Sequence, residues 1–255
     1  MIYKIHYFLI LIIGFNNLNA QNIVSTFEKE FKLQIIVTGT FESSFENVNY
    51  EEVSNEKLLN KYVSEILIPE FKKYPDSYFK NINLKQIVLC KNLNIDNQHR
   101  AAIPDPKKNT LLLSIDSFYE KLYLKHVLHH EMHHITEYAL WQDMFYNWKK
   151  WNKKNTRNFV YGTGGYEAYE TENKNIDWYK INNPIKGFVN LYSTLGQEED
   201  RCEIVALLMT SEEKLYLNQF IETDKNLKRK VNLTLKTLAK VSGKKLKYWK
   251  EKLEL

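Results

Sequence analysis

The sequence predicts an α+β fold: a small mixed sheet, then one long helix, then a mainly helical remainder. Two observations carry that prediction. Strand-like runs at 31–39, 84–90 and 101–115 are confined to the first half, while helical periodicity dominates the second. Residues 116–148 form a long stretch with no glycine or proline, the mark of an uninterrupted helix.

The elements follow in order. Lys4 precedes an apolar run from Ile5 to Phe15, and small Ala20 precedes Gln21. This is the pattern of a secretory signal peptide over 1–20, with a run too short for a spanning helix. No cysteine follows that would carry a lipid anchor. The expected protein is therefore exported, periplasmic or extracellular, with one domain over 21–255 and no stable membrane insertion once the signal is removed. FKLQIIVTG (31–39) alternates and is rich in β-branched residues, so it reads as a strand. Residues 54–74 place Leu58, Leu59, Tyr62, Val63, Ile66, Leu67 and Phe71 on one helical face. Ser54 can cap that helix, and Pro69 disturbs its last turns. LKQIVLC (84–90) is a strand. Residues 101–115 read as strand–turn–strand, or as a loop entering a strand, with Pro104-Asp105-Pro106 at the turn.

The long helix follows, with Asp116 or Ser117 as its cap and Glu120 as capping-box partner of Ser117. Trp141, Phe145 and Trp148 would share one of its faces, as core or as a cleft wall. Residues 149–187, with Gly162-Thr163-Gly164-Gly165, form a long loop, a feature usually functional or disordered when it lies inside a domain. The part from 188 to 255 enters a helix near Gln197 and ends in helices around 212–222, 224–240 and 243–253.

Of the 255 residues, 44% are hydrophobic and 26% charged, as in ordinary globular chains. The net charge of +5 comes largely from lysines near the C-terminus. There Leu227, Val231, Leu235, Leu238 and Val241 recur at helical spacing, so the lysines are the solvated face of packed helices. No nucleic-acid module accompanies them, and no nucleic-acid partner is expected. Cys90 and Cys202 sit among apolar residues, and whether they pair is open.

The chemistry concentrates in LHHEMHHITEY (128–138). His129/His133 and His130/His134 both stand one helical turn apart. Glu131 selects between them. With His130 and His134 as ligands the stretch reads H-E-x-x-H, in which the glutamate serves as general base beside a zinc ion. His126, one turn earlier, could be a supporting group, and His129 and His133 are packing, hydrogen-bonded or surface histidines. A catalytic zinc keeps three protein ligands and one open position. The metzincin pattern would need a glycine three positions after His134 and a histidine six positions after it. The chain carries Glu137 and Leu140 there, and no histidine follows His134. The third ligand must then be an acid. The candidates are Glu137, the loop residues Glu167, Glu170 and Glu172, and the cluster Glu198, Glu199, Asp200 and Glu203. Glu199 and Glu203 share a helix face, so one can bind metal while the other orients a histidine.

HHEMHH followed by GFVNLYSTLGQEEDRCEIVALLM resembles the gluzincin-type zinc-binding metallopeptidases of exported bacterial proteins, and more remotely the catalytic domain of anthrax lethal factor. The resemblance covers 30–250 and is specific in those two motifs. It implies a zincin-like fold with one Zn2+ per chain. It implies Glu199, seven positions after Tyr192, as third ligand, and Glu203 as a supporting acid or alternative ligand. Arg201-Cys202 departs from the more usual aromatic–alanine pair, which reads as a packing change. The reaction implied is peptide-bond hydrolysis by a zinc-held water, with Glu131 as the base and Tyr192 as donor to the developing oxyanion. The expected partner is a peptide or protein substrate, and the expected state is a monomer. LLLSI (111–115) could bind an extended substrate by strand addition, provided that its edge is free. The alternative is a non-catalytic zinc-binding module of the same fold, in which zinc staples two helices. Glu131 argues against it, because a closed structural site has no use for that acid.

Overall fold

The computed structural model describes residues 23–170 and 175–255, so the expected signal peptide and Glu172 lie outside the described residues. Contacts divide the chain into two compact units. One runs up to Phe79 and resumes over Leu84–Leu124; the other comprises Lys80–Asn83 and Lys125–Leu255.

The first unit holds the sheet. Helix α1 (23–31) leads to β1 (Gln34–Ile36), shorter than the 31–39 expected because Phe31 still belongs to the helix. Phe27 and Phe31 turn toward Phe71 and Phe79, whose rings stack at 4.7 Å, and this aromatic cluster is what α1 buries. After β2 (Val48–Glu51), α2 (Glu56–Tyr62) is capped by Asn55 rather than Ser54: the Asn55 side chain accepts from Leu58 N at 3.0 Å. The helix widens into a π-helical turn over Val63–Leu67 before α3 (Ile68–Phe71). Pro69 explains the turn. It has no N–H to donate, and its ring would strike the carbonyl of Glu65 four residues back, so the backbone opens there. Helix α4 (Asp76–Asn81) follows.

The central strand is β3 (Gln86–Ile95), which reaches further than the apolar run 84–90. Its first half pairs in parallel with β1 and with β6 (Thr110–Ser114). Its second half pairs antiparallel with β2 and β4 (Gln98–His99). β5 (Ala102–Asp105) turns through Pro106–Lys108 to run antiparallel to β6, as expected of 101–115. Asp105 secures the turn by accepting from Lys108 N at 3.2 Å and from Ser44 N at 2.7 Å. Val88, Cys90, Leu93, Ile103 and Leu112 form a core against this sheet. β6 lies between β3 and β5 with all five residues buried. It therefore offers no free edge, and strand addition of a substrate to LLLSI is ruled out.

Helix α5 (Lys121–Trp141) carries the histidines. It starts later than 116. Asp116 instead accepts from Asn92 N at 2.8 Å and from Ser114 Oγ at 2.6 Å, tying it to the sheet. Glu120 contributes its carbonyl to Leu124 N, which makes it the first helical acceptor and leaves no capping box at Ser117. The far end stops at Gln142, whose φ of 57° is left-handed. Phe145 thus lies beyond the helix and is 70% exposed, while Trp141 packs on Tyr146 and Trp148. The three aromatics do not form one helical face.

The second unit continues through α6 (Lys149–Asn152) and a loop to α7 (Gln197–Met209), α8 (Ser211–Thr223), α9 (Lys225–Ser242) and α10 (Leu246–Lys252). These match the expected positions closely. Among the described residues no helix is long and apolar enough to cross a membrane. Every residue of α7 is buried, including its acids and Arg201. Burial of those charges demands partners. Asp200 accepts from Trp151 Nε1 at 2.7 Å, Tyr161 OH at 2.6 Å and Lys230 Nζ at 2.7 Å. Lys230 also donates to the Gly187 carbonyl and lies 3.6 Å from the Phe188 ring centre. Cys90 and Cys202 are both free and buried. Lys230→Met should cost about 3–5 kcal/mol, because it strands a buried carboxylate. Urea unfolding against the parent chain measures this, and an unchanged midpoint would contradict it.

Candidate metal centre

The geometry starts from the pitch of α5. His126, His130 and His134 recur every four residues and line one face. α7 presents Glu199 and Glu203 to them, again one turn apart. The acids at the start of α7 are favoured by the helix dipole; Glu203 lies a turn further in, where the dipole gives little.

Three donor atoms converge. His130 Nε2 is 3.2 Å from His134 Nε2 and 3.0 Å from Glu199 Oε2, and His134 Nε2 is 3.6 Å from the same oxygen. A tetrahedral zinc with bonds of 2.0–2.1 Å would space its ligand atoms by about 3.3 Å. The donors His130, His134 and Glu199 therefore fit such an ion. Two imidazole nitrogens turned toward each other at 3.2 Å can share either one hydrogen or one cation.

Glu203 stands behind them. Its Oε1 accepts from His130 Nδ1 at 2.7 Å and from His126 Nε2 at 3.1 Å, and its Oε2 accepts from Asn190 Nδ2 at 2.5 Å. Engaged in this way, Glu203 orients His130 and does not face the converging donors. His126 Nδ1 in turn meets Glu213 Oε2 at 2.6 Å.

The charges follow the contacts. Burial alone would raise Glu199, but hydrogen bonds from His130 and His134 outweigh it and hold the carboxyl at about 2. Glu203 is likewise buried, and His126 and His130 hold it well below the usual carboxylate range. Burial would lower the histidines, yet Glu199 and Glu203 carry His130 well above its ordinary value, and Glu199 raises His134. His126 rises to about 9 against burial through Glu203 and Glu213. The carboxylates are thus ionised, and His130 and His134 would release protons on binding a cation.

Glu131 is half-buried, and its charge acts on His130, His134 and Tyr192. The Tyr192 ring lies 5.9 Å from that of His130 and 4.7 Å from Tyr179. Burial first, then the Glu199 charge, pushes the Tyr192 hydroxyl well up, so it stays a donor. The glycine-rich loop explains its glycines here. Gly162 N and Gly164 N donate to the carbonyls of Thr194 and Leu195 at 3.0 Å, drawing the loop against the segment before α7. A Cβ on Gly165 would overlap both the Glu199 carboxylate and the Tyr192 hydroxyl.

The other candidate acids are occupied elsewhere. Glu137 is held by the Arg201 guanidinium through both Nε and Nη2. Arg201 therefore makes a buried ion pair rather than a mere packing change, and it also faces the Trp141 ring at 5.3 Å. Glu167 accepts from Thr163 N and Oγ1 within its own loop, and Glu170 is exposed. Asp200 belongs to Lys230, and Glu198 folds back over Gly196. His129 is fully buried, and His133 lies 3.6 Å from Glu137, consistent with packing positions. Burial, then Arg201, keeps His133 neutral. The sequence did not single out Glu213, Asn190 or Cys202 as neighbours of this centre. Glu213 and Asn190 follow no spacing rule relative to the histidines. Cys202, whose Sγ lies within 4.8 Å of donor atoms on His130 and His134, was legible as the residue three after Glu199 on the same helix.

No curated protein matches the chain. A solved structure of "a putative zinc-binding metallo-peptidase from Bacteroides caccae" is similar in fold, with a TM-score of 0.55 and 14% identity over 94% of this chain and 91% of that one. The profile of the family described as "Putative zinc-binding metallo-peptidase" matches residues 20–250. Spanning nearly all of the described chain, that match makes this protein a member of the family described as "Putative zinc-binding metallo-peptidase".

Proposed function

We propose that the chain is an exported zinc-dependent peptidase of the gluzincin type, with His130, His134 and Glu199 as ligands. The observation that supports this most is the convergence of His130 Nε2, His134 Nε2 and Glu199 Oε2 within 3.0–3.6 Å, with Glu131 beside them. Export rests on the N-terminal apolar run and its small-residue end alone.

When bound, zinc would supply Lewis-acid polarisation and lower the pKa of a water toward neutral pH. The protein supplies the rest. Glu131 takes a proton from the attacking water, whose oxygen bonds to the scissile carbonyl carbon. Tyr192 O–H donates to the carbonyl oxygen as negative charge develops on it. When the C–N bond breaks, Glu131 passes the proton to the leaving amine. Glu203 holds His130 by its Nδ1, which leaves Nε2 for the metal. The substrate class is a peptide or protein, and the working unit a monomer.

One observation favours a second function, a non-catalytic zinc module. Cys202 Sγ lies close enough to His130 and His134 to be a fourth ligand, which would close the site. Burial keeps this thiol protonated well above its usual range, but a coordinated thiol loses its proton.

The purified mature chain should contain one zinc. Glu199→Ala should remove it, and Glu203→Ala should only weaken it, by about 10–100-fold. Metal analysis after dialysis reads both, and the reverse order would move the third ligand to Glu203. Against a peptide library, Glu131→Gln should retain zinc and lose cleavage by at least about 10²-fold. Retained cleavage would exclude Glu131 as the base. Cys202→Ala should leave zinc affinity unchanged in a peptidase; loss of zinc would favour the closed, non-catalytic site.

A further inference from the structure

The histidine column continues past the ligands. His126 is buried, and both of its ring nitrogens meet carboxylates: Nε2 at 3.1 Å from Glu203 Oε1 and Nδ1 at 2.6 Å from Glu213 Oε2. A carboxylate only accepts, so both contacts are satisfied only when both nitrogens carry hydrogen. The ring is then a cation clamped between two acids from successive helices, α7 and α8. Its neighbour Glu203 also receives His130 Nδ1 and Asn190 Nδ2, so three donors fix that carboxylate.

Bulk packing does not explain this arrangement. Glu213 is 7% exposed and could have reached solvent, yet it is turned inward on His126. Without His126, Glu203 would keep its charge with fewer donors to hold it. It could then swing off His130, whose Nδ1–H would lose its only acceptor among the described contacts. The tautomer that offers Nε2 would no longer be enforced.

We infer that His126 and Glu213 are positioning residues for zinc: the chain Glu213–His126–Glu203–His130 fixes the ligand ring of His130 through three successive hydrogen bonds. This rests on the zinc assignment made above. Neither residue touches metal or substrate, and each acts through the next.

Zinc affinity, measured by chelator competition on the full mature chain, tests the relay. His126→Leu should weaken zinc by about 10–100-fold while the far-ultraviolet circular dichroism of the metal-free chain is unchanged. His126→Gln, which keeps a donor for Glu203, should recover part of the loss. Glu213→Gln should weaken zinc in the parent chain but have no further effect on top of His126→Leu, a non-additivity that simple packing losses would not produce. A folded His126→Leu chain with parental affinity, or strictly additive losses, would overturn the relay and leave the zinc site standing. If His126→Leu does not fold, Glu213→Gln decides alone, and parental affinity overturns the relay. A parent chain that takes up no zinc would overturn the zinc assignment, and the relay with it.

Discussion

Everything in the second unit answers one constraint: α7 is buried along its whole length, and it carries acids. A carboxylate withdrawn from water must meet positive charge or several donors, or it will not stay ionised. Three of the four acids on the helix have their own solutions. Asp200 takes Lys230 with two neutral donors. Glu203 takes two histidines and an asparagine. Glu199 takes the pair His130 and His134. Arg201, the buried cation of the same helix, is matched by Glu137 from α5. The histidine helix and the acid helix are locked by complementary charge, and the proposed metal centre lies within that match.

Two routes therefore stabilise the same interface. Apolar residues on α7 such as Ile204, Val205 and Leu208 exclude water around the charges. Exclusion of water in turn strengthens each charge pair, and it makes loss of any partner expensive. The loop before α7 takes part through Tyr161, which donates to Asp200, and through backbone: Gly162 and Gly164 bond to the carbonyls of Thr194 and Leu195, and Gly165 brings main chain up to Glu199 and Tyr192, where a side chain would not fit. The wall beside Tyr192 is thus set by a stretch that composition alone would class as a flexible connector.

Much of this was legible in the sequence, for identifiable reasons. H-E-x-x-H on a helix and acids at i, i+4 are local spacings, and helical pitch converts them directly into a shared face. The late helices were legible from their apolar repeats. Boundaries were less so. Residues 116–120 satisfy the capping rules, but Asp116 is drawn to Ser114 and to Asn92, the latter 24 residues away and announced by no local pattern. The strand LLLSI read as apolar and β-prone, but whether its edge was free depended on β5 folding back beside it. Arg201 looked like a substitution for packing; its role depends on Glu137, a full 64 residues earlier. Glu213 was invisible for the same reason: its meaning comes only from His126.

The second histidine pair has a consequence of its own. His129 and His133 have the same spacing as the ligand pair and sit one residue away, so the helix offers a cation two doors. The Arg201 guanidinium closes one of them. Its charge bears on His133, and it has already claimed Glu137, the one acid within 3.6 Å of that ring among the described contacts. An ion that approached His133 would meet a repelling guanidinium and, among the described contacts, no spare carboxylate. In the proposed zinc site, Glu199 thus favours one face of α5 and Arg201 disfavours the other.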